Sequence, residues 1–489
     1  MGTINSAFSM MTSAMDADQA ALNIVSNNVA NTNTTGCTRQ VPNWQENDPV
    51  NIGSFTVGTG ASVTGATSVR DRVLEARLNQ QEQLASASSS RLAALNAVET
   101  LFTPSTGSTD SAAGDIGSDI TGFFNSFSSL EADPANNALR ENVLSAASKL
   151  ASDLSNAAAS LTAQRASLDQ GSVGIVSQVN ATSEALAKLN LQIQSLPPGT
   201  DAGTLEDQRQ QDLLQLSQLI GVNQVTTENN GIAITTTSGQ LLASSGTSQQ
   251  LTSGSLNGVT HFFLGTQDVT DQLTAGGGSL GGILTARDVD IPKVLNSLDE
   301  IAYDVSTAVN AQNNLGKDAT GATSSVMNAA AGALSLDIFA PPPTLVTNGV
   351  AGHDVSGAAI AMQVVMTDPS GIAASSTTEG VGGNSNAIAI ANMARTLQLN
   401  GKTPSDFYAG MVTNLGSKVS QVQTENTAEN ASVTQLQTQR DALSSVNLND
   451  EASALTLLER SYQAASQVFA ILNSIMASAL NLGSQTTVS

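Results

Sequence analysis

The sequence predicts a mainly α-helical protein with β insertions. Terminal coiled-coil helices and a helical rod domain are drawn from both chain ends, with small β-rich domains inserted. Three observations predict it. Both termini place apolar residues at alternating steps of three and four, the rhythm of helices that pack on other helices. Aromatic residues are only 3% and charged residues 12% of the 489, with Ala, Ser, Thr, Asn, Gln and Gly in bulk. Two internal stretches exchange the helical rhythm for short apolar runs and Gly-bearing turns.

At the N-terminus the stripe is Ile4, Phe8, Met11, Met15, Leu22, Val25 and Val29, with Asp18 at its one polar position. Asn27, Asn28 and Asn31 follow as amides suited to ending a helix and forming a turn, or to hydrogen bonding across subunits. Leu74, Leu78, Ala85, Leu92, Leu95 and Phe102 keep the rhythm in a second helical stretch. A long helical region over 116–196 is marked by Leu139, Val143, Leu150, Leu154, Leu161 and Leu168. Gly171 and Gly174 are expected to break or loosen it, and Pro197, Pro198 and Gly199 to end it. A helix over 205–220 comes next.

Strands are expected over 222–243, with turns at Asn230-Gly231 and Ser238-Gly239. Gly-rich β texture continues to 282, helix resumes over 283–314, and a second Gly/Ala/Thr-rich region runs to 383. From 386 the chain is helical to its end, with a break around Gly401–Pro404. The C-terminal stripe is Leu455, Leu458, Tyr462, Ala465, Phe469, Leu472, Met476 and Ala479, with Leu480 beside it. The expected domains are therefore nested. Residues 1–35 and 447–489 form the terminal assembly domain. Residues 36–220, 283–315 and 386–446 form the rod, 221–282 the first β-rich insertion and 316–385 the second.

The net charge is −23, with no offsetting Lys/Arg cluster, which argues against nucleic-acid binding and for solubility. The terminal stretches are nearly free of ions. Before Arg39 the charged side chains are Asp16 and Asp18, and after Arg460 there are none. A face of Ser, Asn, Gln and Ala can meet other protein without the cost of desolvating charge. One such helix buries too little to offset the entropy of ordering it. Both ends are therefore expected to be disordered in a lone chain and ordered in an assembly.

Membrane insertion is not expected. The most apolar stretch, Val468 to Leu482, is interrupted by Asn473, Ser474, Ser478 and Asn481, and falls short of the ~20 residues a span needs. Residues 1–15 lack the basic and apolar regions of a cleaved signal peptide, so export would use another route. Cys37 is the sole cysteine and allows no intramolecular disulfide.

No catalytic, metal or cofactor site is expected. His261 and His353 are the two histidines, and His353-Asp354 alone is a weak signal. Gly401-Lys402-Thr403 has Thr396 where a phosphate loop needs its first glycine, and Gly58-Thr59-Gly60 has Val63 where a dinucleotide fingerprint needs its third.

The run Leu22-Asn23-Ile24-Val25-Ser26-Asn27-Asn28-Val29-Ala30-Asn31-Thr32-Asn33-Thr34-Thr35-Gly36 resembles the N-terminal motif shared by flagellar rod, hook and hook-associated proteins. Val446-Asn447-Leu448-Asn449-Asp450-Glu451, with Tyr462-Gln463-Ala464 and Leu480-Asn481-Leu482, resembles the matching C-terminal motif. Thr38-Arg39-Gln40, the 205–222 segment, Thr367 to Ala374 and Asn384 to Ala387 are similar to the hook-associated protein 1 branch of this axial family. Thr35 and Cys37 depart from it, standing where Pro and Tyr are usual. Flagellin's N-terminal pattern is absent.

The resemblance implies a structural subunit of the bacterial flagellum at the hook–filament junction. It implies export from the cytoplasm, unfolded, by the flagellar type III route, with a chaperone bound to the C-terminal helix. It further implies a ring of about eleven copies between hook protein and hook-associated protein 3, with the terminal helices as an inner coiled-coil tube. The alternatives are another axial protein, either hook protein or hook-associated protein 3, or an axial protein with a hydrolase insertion in 221–385.

Overall fold

The computed structural model describes residues 2–34, 36–52, 55–103, 116–197, 200–256, 258–324, 336–343, 346–347, 350–351 and 355–485. Thr35, Pro198, Gly199, His353 and Asp354 lie outside them.

Helix α1 (Gly2–Ala30) carries the N-terminal stripe. It ends where the asparagines stand: Asn31 N donates to the Asn27 carbonyl at 3.0 Å, and Asn31 Nδ2 to the Asn27 side-chain oxygen at 2.7 Å. The chain then forms an antiparallel ladder of β1 (Gln40–Glu46) and β4 (Ala61–Ser68), with a bulge between Asn43 and Trp44. A separate two-stranded pair, β2 (Val50–Ile52) and β3 (Phe55–Val57), lies between them in sequence. Helix α1 packs on β1 and β4. These strands fall in a stretch that the sequence reading placed in the helical rod. Neither β1 nor β4 has a fully buried residue, so neither shows the strong inside–outside alternation that marks a strand.

Helix α2 (Arg72–Phe102) starts at Asp71, whose carboxylate accepts from the Val73 and Leu74 amides at 2.9 and 3.1 Å. All six of its expected apolar markers are buried. The 116–196 region divides at Asp133-Pro134 into α3 (Ile116–Ala132) and α4 (Asn137–Gln194). Gly171 and Gly174 do not break α4. A Cβ at either would meet nothing within 4 Å, so both sit on open surface. The ~1 kcal/mol propensity cost of each is outweighed by Val176, Val179, Leu186 and Ile193, all buried just beyond. At 58 residues α4 is about 87 Å long and serves as the spine. Its first half joins one core and its second half another.

Helix α5 (Thr204–Leu219) leads into a four-stranded antiparallel sheet of β5 (Val222–Thr226), β6 (Ile232–Thr236), β7 (Leu241–Ser244) and β8 (Thr247–Ser248). The expected turns are there: Asn229 and Asn230 take φ of 51° and 58°, and Gly239 takes 88°. A three-stranded sheet of β9 (Leu251–Leu256), β10 (Val259–Leu264) and β11 (Gln267–Asp268) follows. Helices α6 (Thr270–Gly276) and α7 (Gly278–Thr285) come next, and α7 passes through one π-helical turn into α8 (Ile291–Asn314). The glycines here serve packing. A Cβ on Gly282 would lie 2.1 Å from the Ala87 carbonyl oxygen, so glycine lets α7 press directly on α2.

Beyond β12 (Gly316–Lys317), the described part of the second insertion is mostly loop. It holds two-residue strands β13 (Val346–Thr347), β14 (Val350–Ala351) and β15 (Ser375–Ser376) and the one-turn helix α9 (Ala358–Ala361). Its turns are held by side chains: Asn310 Oδ1 accepts from the Ile338 and Phe339 amides at 3.0 Å. Helix α10 (Ser385–Thr396) ends before the expected break, where Asn400 and Gly401 have positive φ. Helix α11 (Pro404–Ser444), capped by Thr403, then packs along α2. Helix α12 (Leu448–Gln485) closes the chain. No helix among the described residues is long and apolar enough to cross a membrane.

The main core joins α2, α3, α4, α8, α10 and α11. Phe123 is its centre, with Phe124, Phe127 and Phe339 ring centroids at 5.2, 5.5 and 5.5 Å in edge-on contact. At its margin Lys149 Nζ binds Asp119 and lies 2.8 Å from Asp153. Burial, and then the hydrogen bond shared with Asp153, push the Asp119 carboxyl up from 3.8 to about 6, against the pull of Lys149. The folded chain thus holds this proton more tightly than the unfolded chain. That contribution to stability is complete below about pH 3.8 and is lost as pH rises through about 6. Thermal melts of Asp119→Asn should therefore lose part of the decline in stability between pH 4 and 6. A decline identical to that of the parent chain would refute this assignment.

Candidate assembly interface

Helices α1 and α12 lie antiparallel. Near one end Phe8 and Phe469 meet, with ring centroids 4.3 Å apart at 40°. At the other end Asn28 Nδ2 donates to Glu451 Oε2 at 3.1 Å. The predicted stripes face into this pair. Val25 and Ala465 are buried; Ile4, Phe8, Met11, Met15, Leu22, Leu455, Leu458, Tyr462, Phe469, Leu472 and Met476 are half-buried. Val29 is 39% exposed. Leu480 lies on α12, but its side chain is outside the described ones. Asn27 and Asn31 bond each other on the surface, whereas Asn28 is buried.

Asn28 is the pivot of a polar clasp at the base of the pair. Its Nδ2 donates to the Gln40 carbonyl at 2.8 Å, and its Oδ1 accepts from the Gln40 amide at 3.0 Å. Arg39 Nε lies 2.7 Å from Glu451 Oε1, and the Arg39 amide donates to the Ser444 carbonyl at 2.8 Å. Helices α1 and α12, the start of β1 and the end of α11 are thereby fixed by five residues. Arg39, Gln40 and Glu451 were not among the expected interface residues. Their one sequence signal is that Arg39 and Gln40 follow closely on the N-terminal motif and Glu451 stands inside the C-terminal one.

A second cluster anchors the strands to the rod. Arg70 reaches Glu75 at 3.3 Å, Glu206 at 3.5 Å and Asp207 at 2.6 Å, and its side chain is 6% exposed. Asp207 Oδ2 also accepts from the Thr38 amide at 3.1 Å. Burial, opposed by Arg70, pushes the Glu75 carboxyl up. Burial lowers Arg209 to about 10, where it donates to the Asn230 carbonyl at 2.6 Å. The Cys37 thiol is pushed up by burial and by Asp207, which disfavours the reactive thiolate.

The outer face of α12 is the informative one. Leu457, Val468, Ile471 and Ile475 are 70%, 43%, 60% and 47% exposed. They also recur at helical spacing, and their stripe is centred about 110° around the helix from the one that faces α1. Arg460 lies at the border of this face, and no charged residue follows it. Four large apolar side chains aligned on one helix face mark a surface that buries against protein.

His261 Nδ1 lies 2.7 Å from Asp268, but Thr270 Oγ1 donates to that aspartate, not to the histidine, so no hydroxyl is activated by it. No group of three or more His, Cys, Asp or Glu able to hold a metal occurs among the described residues.

Comparison with known proteins agrees with this geometry. A family model described as the flagellar hook-associated protein FlgK helical domain matches residues 108–327, and one described as flagella basal body rod protein matches 10–38. The chain is 26% identical to flagellar hook-associated protein 1 of Escherichia coli K12, covering 96% of this chain and 98% of the relative. It is 24% identical to the protein of that name in Bacillus subtilis 168, with 96% of each covered. The flagellar hook junction protein FlgK from Burkholderia pseudomallei shares the fold, with a TM-score of 0.63 at 17% identity, over 76% of this chain and all of that one. The likeness runs over almost the whole chain: it is similar along 96% of its length to flagellar hook-associated protein 1, a structural protein of the flagellum.

Proposed function

We propose that this chain is a structural subunit at the junction of hook and filament, polymerising through α1 and α12 with other copies of itself. The observation that carries the reading is the bare apolar stripe of Leu457, Val468, Ile471 and Ile475 on a helix whose other face already has a partner. A helix with two apolar faces needs two neighbours, and the chain supplies one. Ile4, Phe8, Met11, Met15, Leu22, Val25, Val29, Leu455, Leu458, Tyr462, Phe469, Leu472, Met476 and Leu480 then line the assembled helices, and Asn27, Asn28 and Asn31 hold the turn beside them.

The finer reading follows the family resemblance. The chain leaves the cytoplasm through the flagellar type III route, with a chaperone on its C-terminal helix, and about eleven copies close a ring between hook protein and hook-associated protein 3. Marginal terminal helices suit this path, because ends that order only against neighbours do not polymerise early.

The test is a chain lacking residues 461–489, expressed in cells without their own copy. Hooks should remain and filaments should be lost. Filaments still attached would overturn the reading, and loss of the hook itself would make the chain a hook protein.

A further inference from the structure

Between α1, the β1–β4 ladder and α12 lies a groove of about 620 Å³. Its walls are mostly apolar, with Ala17, Val25 and Leu458 inside and Trp44 and Leu457 among its more open residues, 46% and 70% exposed. Three charged side chains line it. Arg39 and Glu451 satisfy each other at 2.7 Å. The third, Asp18, is 5% exposed, and its buried Oδ2 has no hydrogen-bond partner among the described residues. The groove therefore carries one uncompensated negative charge, at a stripe position where the neighbouring turns hold Met15 and Leu22.

A buried carboxylate without a partner is costly, so a chain that keeps one invites a cation from outside. On the two terminal helices there is one Lys or Arg, Arg460. It is exposed and makes no ion pair among the described residues. It is not among the residues that line its own groove. Leu458 faces that groove, and Arg460 is displaced about 200° from Leu458 around the helix. The same geometry sets Arg460 within about 60° of Leu457 and about 20° of Ile471, on the border of the bare stripe.

We propose that the groove is the socket for Arg460 of a second copy, whose guanidinium pairs with Asp18 as its bare stripe docks. This rests on the assembly reading above and gives it a register. The two surfaces share only Leu457 at their common edge, one being a groove and the other a helix face, so the contact is heterologous. It repeats from copy to copy rather than closing a dimer. Trp44 lines the entrance and offers an aromatic face to the incoming guanidinium.

The experiment places Cys at both ends of the pair, Asp18→Cys with Arg460→Cys, in a full-length chain carrying Cys37→Ser. Flagella are purified, oxidised and run without reductant. A ladder of covalent multimers, absent from each single-cysteine chain, is the expected result. Flagella that contain the variant but yield only monomer, or a link within one chain, would overturn the proposal.

Charge exchange gives a second readout. Asp18→Arg and Arg460→Asp should each lower incorporation at least about tenfold, and the double variant should restore it. A double variant no better than either single one counts against the pair. The Cys37→Ser parent separates the two readings: if it is never found in flagella, the assembly reading itself fails. In the isolated chain Asp18→Ala should melt higher than the parent, since it removes an unmatched charge. A lower melting temperature would show that Asp18 already has its partner at home.

Discussion

Replacing Ile471 with Asp is expected to leave the isolated chain as stable as before and to remove it from flagella. The side chain is 60% exposed and packs on nothing that the lone chain needs, so the change in folding free energy should stay within about 0.5 kcal/mol. On the assembly reading proposed above, the same position is covered in the flagellum. An unpaired carboxylate desolvated there costs several kcal/mol at each contact, and each ~1.4 kcal/mol is a tenfold change in association. Incorporation, read as the ratio of variant in purified flagella to variant in cells, should fall by at least about a hundredfold. Ile471→Leu should retain it. An aspartate variant incorporated at the parent level would mean that the outer face of α12 meets water in the flagellum.

The second large effect lies at Arg70. Its guanidinium is buried among Glu75, Glu206 and Asp207, and Arg70→Ala leaves these carboxylates facing one another without it. Removing one partner from a buried ionic group costs about 3–5 kcal/mol, measured here by denaturant unfolding. The effect should depend on pH. Glu75 is already pushed up by burial against the pull of Arg70; without Arg70 its carboxyl holds its proton still more tightly when folded, so the deficit is greatest at neutral pH and shrinks as pH falls toward about 4. A deficit that does not change with pH would assign the loss to packing, not charge. The site also joins Thr38 to α5 through Asp207, so the variant should loosen the strands against the rod.

The helices were the legible part of this fold, because each buries one side and leaves a periodic record. The stripes from Ile4 to Val25 and from Leu455 to Met476 meet as their spacing requires, at Phe8 and Phe469. The outer stripe of α12 went unread for a physical reason. Leu457, Val468, Ile471 and Ile475 have helical spacing too, but a search for one buried face stops at the one holding Tyr462 and Phe469. An apolar arc this wide, with no charge after Arg460, was the available signal for two partners.

The clasp of Asn28, Arg39 and Glu451 joins residues more than 400 positions apart in part, and no local pattern records such a pairing. The β1–β4 ladder was missed because its exposure is irregular. Gly171 and Gly174 misled in the opposite direction, since local propensity there yields to a helix buried on both sides of them.

The central claim is that α1 and α12 gain most of their burial from neighbouring copies. In the structure each is the other's main helical partner, yet most of their shared stripe is only half-buried and the outer stripe is bare. Amide hydrogen exchange tests this directly, comparing the dilute chain with the same chain in purified flagella. Peptides from 2–30 and 448–485 should exchange rapidly in the dilute chain, while α4 and α8 stay protected, and should become protected in flagella. Full protection of both ends in the dilute chain would contradict the claim.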